Sequence, residues 1–378
     1  METSQKPASA SIVHARAQSL AVRSAALVAR GLRDLARDSN WLVRKIFTGQ
    51  TRNLAISPAG QVAAISQVAQ FGIPRLSIYD IENSAPALAI PVPNEPPICP
   101  PNLPAAFAWS PSRSGDAKHL VAAWGGWQPK LHLFDLSSRR LAATFGEFGN
   151  VPKNLAWSEN GKYLAAASDG KKPQLRIWNA PANAPSPAAA PLAELGIPGC
   201  VERQTYEAEF GDEGAFAGYG ATAFSPNAEL LASVVQIQGE WADDSILIAD
   251  VPAMRQQTAA PAQGHITSLS WTADSRSIVY CAAGQTYRLS VQTRESVQLP
   301  APAELCACHP HLPVCLCFSS WLKNSAKGQL FLVDLNRLAV YDEYPAEGIV
   351  HLRWNTDGSK AYAVAHDGLA YIYDPPLI

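Results

Sequence analysis

Short apolar runs recur down the chain in a fixed order. One run ends in a turn rich in Ser, Pro, Asn, Asp and Gly. A second follows directly, then a loop of variable length, then a third that closes on an aromatic or apolar residue plus Asp or Asn. Runs this short, bounded by turn residues, predict β-strands. The first copy reads Leu54-Ala-Ile-Ser-Pro-Ala-Gly60, Val62–Ser66 and Leu76-Ser-Ile-Tyr-Asp80. The third reads Leu155-Ala-Trp-Ser-Glu-Asn-Gly161, Tyr163–Ser168 and Leu175-Arg-Ile-Trp-Asn179. The last reads Leu352-Arg-Trp-Asn-Thr-Asp-Gly358, Ala361–Ala365 and Ala370-Tyr-Ile-Tyr-Asp374. Seven copies can be aligned, with turn positions at 57, 110, 158, 225, 272, 309 and 355 and separations of 53, 48, 67, 47, 37 and 46 residues. Trp109, Trp157, Trp271 and Trp354 share one phase, the position before the turn.

A spacing near 40–45 residues with three visible strands is that of a four-stranded propeller blade. The fourth, outer strand of each blade is expected at Ala87–Val92, Arg140–Phe145, Ala190–Leu195, Arg255–Ala259, Glu295–Leu299 and Arg337–Tyr341. The seventh copy runs out at Ile378 before it can supply its own. Trp41–Thr48, ahead of the first copy, is the missing strand, and its pairing with the last blade would close the ring and remove an open sheet edge. The expectation is an all-β, seven-bladed β-propeller over residues 41–378, preceded by a helical arm over residues 1–40. Two stretches break the rhythm: Glu82–Pro104 is rich in Pro, and Asn179–Gly220 begins as a Pro/Ala linker and ends acidic.

The repeat resembles the WD40 family across roughly residues 41–378, in pattern more than in letters. Gly264-His265 matches the family's Gly-His dipeptide, and the Trp-Asp ending is represented by Tyr79-Asp80, Phe134-Asp135, Trp178-Asn179 and Tyr373-Asp374. On these letters the family's buried Asp-His-Ser-Trp network is mostly missing. The resemblance implies a WD40-like propeller that acts as a rigid platform for other macromolecules.

Residues 11–38 carry a different period. Val13, Ala17, Leu20, Leu27, Val28, Leu32 and Leu35 fall on one stripe of a helix, while Arg16, Arg23, Arg30 and Arg37 recur every seventh residue on another face. Such a basic amphipathic helix packs on its own domain, holds a partner or lies on an anionic membrane surface. An Arg- and Ser-rich, acid-poor leader to an organelle has the same composition.

Charge sharpens this division. The chain of 378 residues carries a net −2. Residues 1–50 hold eight Lys/Arg and three acids, which gives +5 and leaves −7 for the remainder. A basic arm on an acidic body lacks the broad basic face of a nucleic-acid-binding protein. Charged residues make up only 16%, against a typical quarter or so, which suits a surface partly covered by partners. Seven cysteines, an odd number with four crowded into Cys306–Cys317, read as reduced thiols and favour an intracellular, cytoplasmic protein. No apolar run is long enough to span a membrane.

Candidate chemistry falls in the loops. The connections from second to third strands carry Phe71, Trp124 and Trp127, Trp241 with Asp243 and Asp244, and Trp321 with Lys323. Aromatic side chains gathered on one rim would form the anchors of a protein interface. Cys306, Cys308, Cys315 and Cys317 are weak metal candidates: Cys-x-Cys is not the knuckle that wraps zinc, and small thiols fill a packed interior well. Arg139-Arg140 lacks the neighbours of a phosphoinositide-binding pair. No cofactor motif and no nucleophile elbow is present. His265 and His351, at the starts of inner strands, are the only seeds of an axial catalytic site. The leading expectation is therefore a non-catalytic scaffold, one member of a multi-subunit complex, that binds proteins through its aromatic rim and its N-terminal helix. A propeller hydrolase or lactonase and a membrane-surface adaptor are the two alternatives. The mark of the enzyme would be an axial pocket where His, Arg and Glu converge.

Overall fold

The computed structural model describes residues 41–47, 53–60, 62–68, 74–90, 104–111, 118–124, 129–170, 173–179, 193–195, 217–237, 243–320 and 328–375. Every regular element among them is a strand. The expected helix over residues 11–38 lies outside the described residues.

β1 (Trp41–Lys45) is followed by four-strand meanders. The first comprises β2 (Leu54–Ile56), β3 (Val62–Val68), β4 (Pro74–Asp80) and β5 (Ala85–Ile90). The second comprises β6 (Pro104–Trp109), β7 (His119–Trp124), β8 (Lys130–Asp135) and β9 (Arg140–Phe145). Next come β10 (Pro152–Trp157), β11 (Tyr163–Gly170), β12 (Leu175–Asn179) and β13 (Ala193–Leu195), then β14 (Ala217–Phe224), β15 (Leu230–Ile237), β16 (Ser245–Asp250) and β17 (Arg255–Pro261). β18 (Ile266–Trp271), β19 (Ser277–Ala282), β20 (Gln285–Ser290) and β21 (Ser296–Gln298) precede β22 (Leu305–Cys308), β23 (Val314–Ser319), β24 (Gln329–Asp334) and β25 (Ala339–Pro345). The chain closes with β26 (Ile349–Trp354), β27 (Ala361–Ala365) and β28 (Leu369–Tyr373).

These strands build six antiparallel sheets, not the seven separate blades that the repeat predicts. Five sheets have four strands. The sixth has eight, because the β10–β13 and β14–β17 meanders share hydrogen bonds: β11 pairs with β14 at Asp169↔Gly218 and Gly170↔Ala217. The cause is length. β11 runs past its last partner on β12, Ala167↔Leu175, and its overhang meets the glycine-containing start of β14.

The innermost strands β2, β6, β10, β14, β18, β22 and β26 pack each against the next, and β26 returns to β2, so they ring a central axis. The tryptophans of the repeat lock neighbours together. Trp109 Nε1 donates to Ala55 O at 3.0 Å, Trp271 Nε1 to Ala223 O at 2.9 Å and Trp354 Nε1 to Ala307 O at 3.1 Å. Each acceptor stands two residues before the turn position of the preceding copy. The same bond at equivalent positions means that these inner strands run in the same direction. Turn residues are held alike: Ser158 Oγ accepts from Tyr163 N and donates to Asn160 Oδ1, as Ser225 does for Leu230 and Asn227, and Thr272 for Ser277 and Asp274.

β1 pairs antiparallel with β28, in the register Trp41↔Tyr373 to Lys45↔Leu369. The N-terminal strand thus completes the sheet of the last three strands. Its indole stacks on Tyr344 at 5.3 Å and lies 4.9 Å from the Tyr373 ring. Ile46 and Phe47 bury against Leu54, Ile56 and Val364. Gly368 makes this possible: its φ is +94°, and a Cβ there would collide with Phe47.

Candidate interaction face and axial channel

First-to-second-strand turns open at one end of the ring. Second-to-third-strand connections open at the other, together with the links between sheets. Trp124 closes β7 at the root of one such connection. Phe71, Trp127, Trp241, Trp321 and Lys323 lie outside the described residues, as do Arg16, Arg23, Arg30 and Arg37. Asp243 is exposed.

Asp244, expected on the rim, is instead 2% exposed and turned inward. Its Oδ2 accepts from Ile266 N at 2.7 Å and faces His265 Nδ1 at 3.1 Å. Its backbone carbonyl accepts from Ala262 N. Burial pushes its carboxyl upward, while the Ile266 amide and His265 pull it back. Asp244 therefore ties its loop to the link that enters β18. With His265 it supplies an Asp–His pair of the kind that the sequence read as mostly missing. His265 itself is held by this contact, and its side chain remains 68% exposed. A loop carboxylate reads as solvated; only the Gly264-His265 dipeptide hinted that a partner was needed.

Cys306, Cys315 and Cys317 are buried with Cys281, Val279, Leu299 and Phe331, between the β18–β21 and β22–β25 sheets. Cys308 replaces tryptophan in the repeat phase, and its Sγ points at Ser270 O from 3.8 Å, the position that the indoles use elsewhere. Among the described residues no three His, Cys, Asp or Glu form a metal-holding group. Arg139 and Arg140 are exposed at the start of β9.

The turn end of the ring holds an arrangement that the sequence did not show. His351 and Arg353 alternate on β26 with Leu352 and Trp354, which pack into the core between sheets. His351 and Arg353 lie on the other face, toward β2 of the neighbouring sheet, where Arg353 Nη1 donates to Ile56 O at 3.4 Å. Both are half-buried. Burial lowers the His351 pKa to about 4, with the Arg353 charge adding to it. Burial also presses the Arg353 guanidinium below its ordinary value, and Glu159 offsets this. Glu159 sits on the turn after β10. Its carboxyl is raised by burial and drawn back down by Arg353 and His311, the latter on the turn after β22. Glu159, His311 and Arg353 thus influence one another electrostatically at the turn end of the ring.

Fold and ring define an all-β propeller of the WD40-like kind. No family model matches the chain, and no curated protein matches it in sequence. Among solved structures it is similar to that of U3-55K, with a TM-score of 0.62 and 13% identity over 88% of this chain and 98% of that one. At that identity the likeness is one of fold.

Proposed function

We propose that this protein is a non-catalytic scaffold that holds protein partners on the face formed by its second-to-third-strand connections. One observation carries the reading: these connections are rooted on strands locked into a closed ring, as Trp124 is at the end of β7. Loops on a rigid frame lose little entropy when they bind. Tryptophan at their tips adds large apolar area with a polar handle. Asp244 strengthens the argument, because a buried carboxylate ties down the end of the loop that carries exposed Asp243.

In this reading the protein works inside the cell within a larger assembly. Arg16, Arg23, Arg30 and Arg37 form a second contact, to a protein or to an anionic membrane surface. Pull-down with the triple variant Trp124→Ala, Trp127→Ala, Trp241→Ala is the test. The full-length chain should retain partners that the variant loses, with an unchanged melting temperature for both. Equal capture by both would remove the rim from the account.

A further inference from the structure

On β22 and β23, Cys306 stands directly opposite Cys317, and Cys308 directly opposite Cys315. Cys306 N donates to Ser268 Oγ at 3.2 Å and Cys308 N to Ser270 Oγ at 2.9 Å, both on β18. These amides point away from β23, so each cross-strand cysteine pair is a non-hydrogen-bonded one. In such a pair the Cα atoms stand about 4.5 Å apart and the side chains share a face. That falls within the roughly 4.4–6.8 Å over which a disulfide closes without moving the backbone. The four thiols form one cluster, with Cys317 Sγ 3.8 Å from Cys315 Sγ.

The two pairs differ in exposure. Cys306 and Cys317 are both buried, as is Cys315, whereas Cys308 is partly exposed. Of the described cysteines, Cys308 is therefore the one that a dissolved oxidant meets first. It is also loosely held. It occupies the phase in which Trp271 and Trp354 donate to the preceding inner strand, but its own contact with Ser270 O is a thiol one of 3.8 Å, and a thiol is a weak donor. Burial, reinforced by the neighbouring thiols, raises the Cys315 thiol well above its ordinary value. Cys315 thus stays protonated and inert until an electrophilic sulfur is formed beside it.

We propose that Cys308 is a peroxide-sensitive modification site that closes a reversible disulfide with Cys315. The Cys308 sulfur, ionised as it attacks, takes one oxygen of hydrogen peroxide. The O–O bond breaks, Cys308 becomes a sulfenic acid, and the departing hydroxide leaves with the thiol proton as water. The Cys315 sulfur then displaces the sulfenic hydroxyl, the S–S bond forms, and the Cys315 proton leaves with that hydroxyl as a second water. Two thiols are oxidised to one disulfide, and one peroxide is reduced to two waters. The step draws Cys308 Sγ away from Ser270 O, so it acts at the seam between the β18–β21 and β22–β25 sheets. It does not depend on the scaffold reading.

The test is brief treatment of the folded full chain with hydrogen peroxide, removal of the peroxide, blocking of the remaining thiols with N-ethylmaleimide in urea, and peptide mapping by tandem mass spectrometry. A link between Cys308 and Cys315 is expected, with Cys281, Cys306 and Cys317 blocked. Dithiothreitol before blocking should return both linked thiols. Cys308 should be lost about tenfold faster than the buried cysteines. Cys308→Ser should form no link. Cys315→Ala should hold Cys308 as a sulfenic acid that dimedone captures, and Cys317→Ala should link Cys308 to Cys315 as the parent does. Should Cys315→Ala fail to fold, the position of the link in the parent and in Cys317→Ala still decides. A link between Cys306 and Cys317 in place of this one would overturn the proposal. So would a link that forms only in urea, Cys308 passing to sulfinic acid with no disulfide, or loss of the link in Cys317→Ala.

Discussion

Trp271 stands one residue before its turn, and its indole N–H reaches the buried carbonyl of Ala223 on the neighbouring inner strand. Trp157 occupies the same phase, yet its Nε1 is buried without a partner. The two residues make a matched pair for measuring what the lock is worth. Trp271→Phe leaves the ring volume nearly filled but strands the Ala223 carbonyl, so it should cost about 1–2 kcal/mol in urea unfolding. Trp157→Phe removes a donor that nothing accepts and should cost clearly less. Equal losses would mean that the indoles act by packing alone. The recurrent Trp phase could be read from sequence because it repeats at a fixed distance from the turn. Which of the four makes its bond could not, since that depends on the separation of two strands some fifty residues apart in the chain.

His309 takes the turn position where other copies have Ser, Thr or Asn. Its Nδ1 accepts from His311 N at 3.0 Å and from Leu312 N at 2.9 Å, which leaves Nε2 to donate to Gly358 O at 3.0 Å. Burial lowers its pKa to about 4, and the two amide donors at Nδ1 leave no place for a second proton. His132 is buried and lowered to about 4 by the same cause, as is His351. The unfolded chain binds protons at these sites from its ordinary value of 6.5 downward; the folded chain does so only near 4. Stability is therefore fully present above about pH 6.5 and falls as the pH drops from there toward 4, by on the order of 3 kcal/mol per histidine at most. Asn355 shows that asparagine serves in this turn, with its Oδ1 accepting from Lys360 N at 2.9 Å. His309→Asn should thus fold and should flatten the fall in urea midpoint between pH 7 and 4.5 by about one third. An unaltered slope would exclude His309 as a source of acid lability.

At the scale of elements, strand positions were the most legible feature. Arg140–Phe145 was placed to the residue, and the other predicted outer strands were within a few residues of those observed. The reason is physical: in a ring of sheets every strand faces a packed neighbour, so short apolar runs and turn residues mark every boundary. The fusion of two meanders was illegible, because it arises from backbone pairing at Gly170 and Gly218, where no side chain writes a pattern. The charged group at the turn end of the ring was hidden for a different reason. Glu159 and Arg353 are far apart in the chain, and an exposed Glu in a Ser-Glu-Asn-Gly turn looks like any solvated turn residue. The closing strand carries a testable consequence at this scale. Trp41 Nε1, Asp342 Oδ2 and Tyr373 Oη are all buried at the seam between β1, β25 and β28, and none makes a hydrogen bond of ordinary geometry. Burial raises the Asp342 carboxyl, and the Glu343 amide, with the nearby Trp41 indole, partly offsets it. Trp41→Ala removes the Tyr344 and Tyr373 stacking and should cost about 3 kcal/mol. The backbone amides of Tyr371 and Ile372 should then exchange with solvent faster than those of β18–β20. A uniform change across all sheets would instead mean that the seam has no local weakness.

Across the whole molecule, the ends of the chain are what make the ring a single cooperative body. β1 is bound on three sides. It pairs with β28 along its length, stacks Trp41 on Tyr344 of the preceding sheet and bonds Arg44 to the carbonyl of Glu82 in the following one. Lys45 adds an exposed ion pair to Asp367 at 3.2 Å, which contributes little by itself. A fragment of residues 41–378 keeps all of these contacts, and a fragment of residues 49–378 loses them. The shorter fragment also gives up the burial of Ile46 and Phe47, which are 3% and 5% exposed. The combined cost is on the order of 5 kcal/mol. It leaves β28 as an open edge able to pair with another chain. The 41–378 fragment should melt within a few degrees of the full chain and remain monomeric. The 49–378 fragment should melt far lower and aggregate, and a synthetic peptide of residues 41–48 added in excess should raise its melting temperature by mass action. If the two fragments melted alike, the ring would owe its stability to the inner strands alone, and the closing strand would be an ornament on a body that stands without it.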